Sequence, residues 1–97
     1  MIPRISNYGN ATSSNYGFNT LLFTDNKGRE FFFSYTTLVA ARIGDTLIVR
    51  ENAWGNTTGK HLNLIDGGDK ANRLTKQEFE MVLARVLDGD PVPLEVA

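Results

Sequence analysis

The apolar residues between Phe18 and Glu51 fall into four short runs, each closed by turn-forming residues. Phe18-Asn19-Thr20-Leu21-Leu22-Phe23-Thr24 is rich in strand formers, and Asp25-Asn26-Lys27-Gly28 supplies a turn. Arg29-Glu30-Phe31-Phe32-Phe33-Ser34-Tyr35 then completes a hairpin with a glycine in its loop. The period of two places Phe31, Phe33 and Tyr35 on one face, where Leu21 and Phe23 join them. Glu30, Phe32 and Ser34 take the other face. Leu38 to Ile43 and Thr46 to Glu51 flank Gly44-Asp45, a second hairpin signal. In the last run Leu47 and Val49 point inward, and Thr46 and Arg50 point outward. Four strands in two hairpins make an antiparallel meander.

After Leu74 the period changes. Thr75 reads as a helix N-cap, and Glu78 three residues later completes a capping box. Leu74 before the cap staples to Phe79. Phe79, Val82, Leu83, Val86 and Leu87 recur at helical spacing as one apolar stripe, which Asp88-Gly89 ends. Pro91 and Pro93 keep the tail extended. A single-stripe helix needs a surface to cover, and the sheet provides one. The expected fold is α+β: a four-strand antiparallel meander packed by one C-terminal amphipathic helix, with a short helix in the connecting segment. We expect one domain over residues 1–97. It divides into a polar N-terminal segment (1–15), the meander (16–51), a loop and short helix (52–73), the long helix (74–89) and an extended tail (90–97).

Composition narrows the function. Ten Lys and Arg against eleven Asp and Glu give a net charge of −1, without the excess of basic charge that general nucleic-acid binding needs. The absence of cysteine excludes disulfides, thiol chemistry and Cys-ligated metal, and one histidine builds no His-rich metal site. We expect no metal, no cofactor and no catalytic residues. The chain has no apolar run of membrane-spanning length, and Met1-Ile2-Pro3-Arg4 lacks a signal peptide's apolar stretch. The expectation is a soluble cytoplasmic protein without a membrane partner.

Two segments carry candidate binding residues. Ser6-Asn7-Tyr8-Gly9 recurs as Ser14-Asn15-Tyr16-Gly17, which reads either as a pair of turns or as two tyrosines, Tyr8 and Tyr16, presented for stacking. The second segment runs from Asn52 to Gly68 and holds the only Trp, the only His and four of the nine glycines. Thr57 or Thr58 caps a short helix through Ile65, ended by Gly67, with Leu62 and Ile65 facing the core. A strand, a Gly/Thr loop and a helix start with a lysine make a physically sensible anion site, because unpaired N–H groups, the helix dipole and a full charge converge. The site residues are Trp54, Thr57, Thr58, Gly59, Lys60 and His61. The likeness to a phosphate-binding loop is superficial: Gly55 and Gly59 stand one residue too close, and His61 replaces the magnesium-binding hydroxyl. The structural alternative is that the threonines only cap, the glycines only turn, and Trp54 and His61 only pack.

Arg50 to Asn63, with Phe33-Ser34-Tyr35 upstream and Ile65-Asp66-Gly67-Gly68 downstream, resembles a family of small uncharacterised proteins of phages and their bacterial hosts. The likeness covers residues 5–87 and is most specific at the Trp-Gly-x-Thr-Thr-Gly-Lys-His core, Trp54 to His61. What the resemblance implies is context: a mobile-element protein inside a bacterial cell, binding a host or defence component stoichiometrically. The expected function is a non-enzymatic binding protein whose partner is a host or defence protein, such as a CRISPR-type nuclease. The alternative is sequestration of a phosphate-bearing small molecule or signalling nucleotide.

Overall fold

The computed structural model describes residues 2–9 and 20–87. Among the described residues five strands form one antiparallel sheet in sequence order: β1 Arg4–Asn7, β2 Leu21–Thr24, β3 Glu30–Ser34, β4 Thr37–Ile43 and β5 Thr46–Val49. Two α-helices follow, α1 Asn56–Asp66 and α2 Lys76–Leu87, separated by a 3-10 turn at Lys70–Asn72. The class is α+β as expected, but the sheet has five strands, not four. The additional strand is β1, which pairs Arg4 with Thr24 and Asn7 with Leu21. Its residues are all exposed. A strand with no buried face carries no alternating apolar signal, so its sequence resembles a polar tail.

The helix arrangement also differs: the expectation was one long helix backing the sheet, with the short helix left in the connecting segment, whereas each helix covers a face. Phe31, Leu38, Ala41 and Ile48 form one buried cluster with Phe79, Leu83 and Leu87 of α2. Phe32, Val39, Ala40 and Val49 form a second with Leu62 of α1. Since neighbouring strand residues point to opposite faces, the two helices cover opposite sides of the sheet. The unbroken runs Phe31-Phe32-Phe33 and Leu38-Val39-Ala40-Ala41 now have a cause: a strand buried on both faces needs no polar alternation. A bulge adds to this. Phe32 pairs with Ala40 and Phe33 with Leu38, so Val39 is the extra residue, and it joins Ala40 on the α1 side.

The chain passes from one face to the other around the edge of β5. There Leu74 N–H donates to Val49 O (2.8 Å) and Glu51 N–H donates to Leu74 O (2.7 Å), a short parallel bridge beside the strand end. α2 starts immediately afterwards, and both bonds of the expected capping box are present. Thr75 N–H donates to Glu78 Oε1 (2.9 Å), and Glu78 N–H donates to Thr75 Oγ1 (3.2 Å). Leu74 and Phe79 meet in the same cluster. Thr75→Ala is expected to lower the unfolding free energy by about 1 kcal/mol. The urea midpoint should fall at an unchanged slope. The helix end expected at Asp88-Gly89 lies outside the described residues.

Two hairpins have two-residue turns. Gly44-Asp45 joins β4 to β5 with Gly44 at φ 62°, as the sequence suggests. Tyr35-Thr36 joins β3 to β4, and Tyr35 takes φ 56°, a conformation that costs a residue with a side chain. Tyr35 was expected to continue the Phe31–Phe33 face of the strand. It is instead a turn residue with its side chain half out in solvent.

Candidate functional site

α1 carries most of the residues singled out above, and its first turn differs from expectation. The N-cap is Gly55, with no side-chain cap, so neither Thr57 nor Thr58 performs that task. The helix closes as expected at Gly67, whose left-handed φ of 70° lets its N–H donate to Asn63 O (2.9 Å). Within these limits the Trp-Gly-x-Thr-Thr-Gly-Lys-His segment splits into two faces.

The sheet-facing side holds Thr58, His61 and Leu62, all buried. His61 Nδ1 lies 2.7 Å from Ser34 Oγ, which in turn lies 3.1 Å from Thr58 Oγ1. The Tyr35 ring sits over this group, 5.7 Å from the imidazole centroid. Ser34 and His61 are 2 % and 0 % exposed, and the cluster pins the helix to β3. Burial pushes the His61 pKa below its ordinary value because the charged imidazolium is disfavoured there. The native state therefore binds the proton less readily than the unfolded chain. This contribution to stability is fully present above the unfolded pKa of about 6.5 and is lost as the pH falls toward the folded value. Wild type is expected to lose more stability between pH 7.5 and 5.5 than His61→Gln. Equal losses in urea titrations of the two proteins would contradict it.

The outward side of α1 lines a polar cleft of about 480 Å3. Asn56, Gly59, Lys60 and Asn63 form one wall at helical spacing, and Asn52, Lys70 and Arg73 face them. Gly59 has a steric reason to be glycine. A Cβ there would stand 3.0 Å from the Asn52 side-chain nitrogen, which donates to Gly55 O (3.2 Å) and holds the loop against the helix. Arg73 is fixed in place: Nε donates to Asp66 Oδ2 (2.8 Å), and Nη2 donates to Asp66 Oδ1 (3.0 Å) and Asn63 Oδ1 (2.9 Å). Burial raises the Asp66 pKa, but the Arg73 hydrogen bonds, the Gly68 N–H and the Arg73 charge together outweigh it. The carboxyl is held below its ordinary range.

Trp54 and Thr57 lie at the surface. The Trp54 ring covers the Arg50 guanidinium, 4.5 Å from its centroid. Arg50 was expected to point outward; it is buried beneath that ring. A small hollow joins Trp54 to Tyr35 and Thr58. Tyr8 packs against the cluster that holds Leu62. Its hydroxyl donates to Phe33 O (2.7 Å), its ring packs edge-on against Phe32, and burial pushes its pKa well up. Asn7 Oδ1 accepts from Gly9 N–H (2.7 Å), so the first Ser-Asn-Tyr-Gly copy forms a local turn. Tyr16 lies outside the described residues. Of the residues expected in a site, the cleft brings together Gly59 and Lys60, and the aromatic surface presents Trp54.

A family described as a family of unknown function (DUF8033) matches residues 4–81. The chain belongs to this family. The match begins at the first residue of β1 and takes in the sheet, α1 and the capping turn of α2. It therefore spans every residue of the cleft and the aromatic surface of this DUF8033 member. No curated protein and no solved structure matches the chain.

Asn52, Asn56, Asn63, Lys70 and Arg73 were not singled out from the sequence. The one available signal was the i, i+3, i+4, i+7 recurrence of Asn56, Gly59, Lys60 and Asn63, a polar stripe opposite the apolar one. Ser34 and Tyr35 entered only through the family resemblance, since their contacts to α1 span more than twenty residues. Among the described residues no three His, Asp or Glu side chains converge as a metal site, and no helix is long and apolar enough to cross a membrane.

Proposed function

We propose that the protein is a small non-enzymatic binding protein of phage type. It acts inside a bacterial cell by stoichiometric docking on a host or defence protein, for example a CRISPR-type nuclease. The observation that supports this reading most is the pair of ordered, exposed aromatics on one surface. Trp54 is 39 % and Tyr35 47 % exposed, although both have partners within the fold. Trp, Tyr and Arg are the residues that dominate protein interfaces when preordered, because they bury large area at small entropic cost. Arg50 beneath Trp54 holds the indole in position, and the positive φ of Tyr35 keeps its ring beside His61 rather than in the strand.

Tyr35→Gly separates docking from folding. Glycine relieves the positive φ but loses the ring contact, so stability is expected to stay within about 1 kcal/mol of wild type. Affinity for the docked protein should fall by more than about tenfold, as for loss of an interface anchor. The test is affinity capture from the bacterial host, followed by titration of the captured protein against wild type, Tyr35→Gly and Trp54→Ala. One-to-one binding lost in both variants supports the reading. A partner bound equally well by all three contradicts it.

A further inference from the structure

We infer that the cleft beside α1 is a binding site for a phosphorylated polyhydroxy small molecule, a sugar phosphate or nucleoside monophosphate, separate from the docking surface around Trp54. The charge, the fixed donor, the neutral lining groups and the size of the cleft support this. Its charge comes from Lys60 and Lys70, both exposed and in no ion pair among the described residues. Its fixed donor is Arg73, whose side chain is only 4 % exposed. The three bonds to Asp66 and Asn63 use the Nε hydrogen and both Nη2 hydrogens. The two Nη1 hydrogens have no acceptor among the described residues, and Arg73 lines the cleft. A guanidinium locked by a carboxylate in this way presents its remaining donors without further loss of side-chain freedom.

The second half of the ligand follows from the neutral groups. The Asn63 carbonyl is taken by Arg73, which leaves its amide hydrogens to donate. Asn56 offers both a donor and an acceptor, and Glu51, which also lines the cleft, brings an accepting carboxylate. Donors and acceptors together suit hydroxyl groups, whereas a carboxylate in the lining disfavours a ligand that is anionic throughout. The cleft's size, about 480 Å3, lies in the range of small-molecule sites and admits one such molecule.

Isothermal titration of the full chain with ribose 5-phosphate, AMP, ribose and inorganic phosphate tests the assignment. Ribose 5-phosphate or AMP is expected to bind one to one, at least about tenfold more tightly than inorganic phosphate, with no heat from ribose. Which of the two binds better distinguishes a sugar phosphate from a nucleotide. Lys60→Glu and Lys70→Glu should each weaken binding by more than about tenfold at unchanged melting temperature. Lys60→Gln and Lys70→Gln replace them if charge reversal disturbs the fold. Trp54→Ala should bind as wild type does, so failure of the docking reading leaves this result untouched. The assignment is overturned if neither phosphorylated probe binds at millimolar concentration, or if binding survives both lysine substitutions. It is equally overturned if inorganic phosphate binds as well as ribose 5-phosphate, or if a glutamate-rich peptide binds in preference to both.

Discussion

Phe79→Ala is expected to lower the unfolding free energy by about 3–5 kcal/mol, a large part of the stability of a domain this size. Phe79 is 2 % exposed and packs with Phe31, Leu38 and Ile48 against the α2 side of the sheet. Its removal leaves a cavity walled by three strands, which the sheet's hydrogen bonds prevent from collapsing. The effect on α1 should be small, because α1 belongs to the cluster on the other face. Urea unfolding followed by the Trp54 fluorescence signal measures the loss. A midpoint unchanged from wild type would mean that α2 does not cover this face.

Asp66→Asn is expected to cost about 3 kcal/mol or more, through a different cause. The substitution keeps the volume of the side chain but removes the carboxylate that pairs with Arg73. The guanidinium is then left almost fully buried with its charge unmatched. The pH dependence carries a matching sign. Asp66 in the folded protein holds its negative charge to lower pH than in the unfolded chain. Its contribution is therefore complete above the unfolded pKa of about 3.9 and lost as the pH falls through the folded value. Asp66→Asn should flatten the acid side of the stability profile as well as lower the plateau. A profile parallel to wild type below about pH 4 would contradict the pairing. Since the same pair fixes Arg73 in the cleft, the variant should also weaken ribose 5-phosphate binding.

The elements legible in the sequence were those whose cause is local. The Gly44-Asp45 turn, the capping box of Thr75 and Glu78 and the Gly67 helix end each follow from residues within a few positions of one another. The strand at Arg4–Asn7 was not legible, because its pairing with Leu21–Thr24 leaves no buried side chain to betray it. Nor was the two-sided sheet, although Phe31-Phe32-Phe33 lacks the polar alternation that a one-sided sheet requires. The candidate site divides in the same way. Gly59 and Lys60 stood out as a glycine and a cation near a helix start, and both line the cleft. Thr58 and His61 stood out by the same reasoning, but helical periodicity turns them inward to Ser34. Arg73 attracted no notice, since its importance comes from the Asp66 carboxylate one helix end away.

The central claim is that the Trp54–Asn63 segment is two-sided, with Thr58, His61 and Leu62 holding the fold and Asn56, Gly59, Lys60 and Asn63 facing a ligand. Backbone amide chemical shifts recorded by NMR during titration with ribose 5-phosphate test it most directly. The predicted result is saturable shifts at Asn56, Gly59, Lys60, Asn63, Lys70 and Arg73, with Ser34, Tyr35 and Trp54 unmoved. Saturable shifts centred on Tyr35, Trp54 and His61, or no saturable shifts at all, would contradict it.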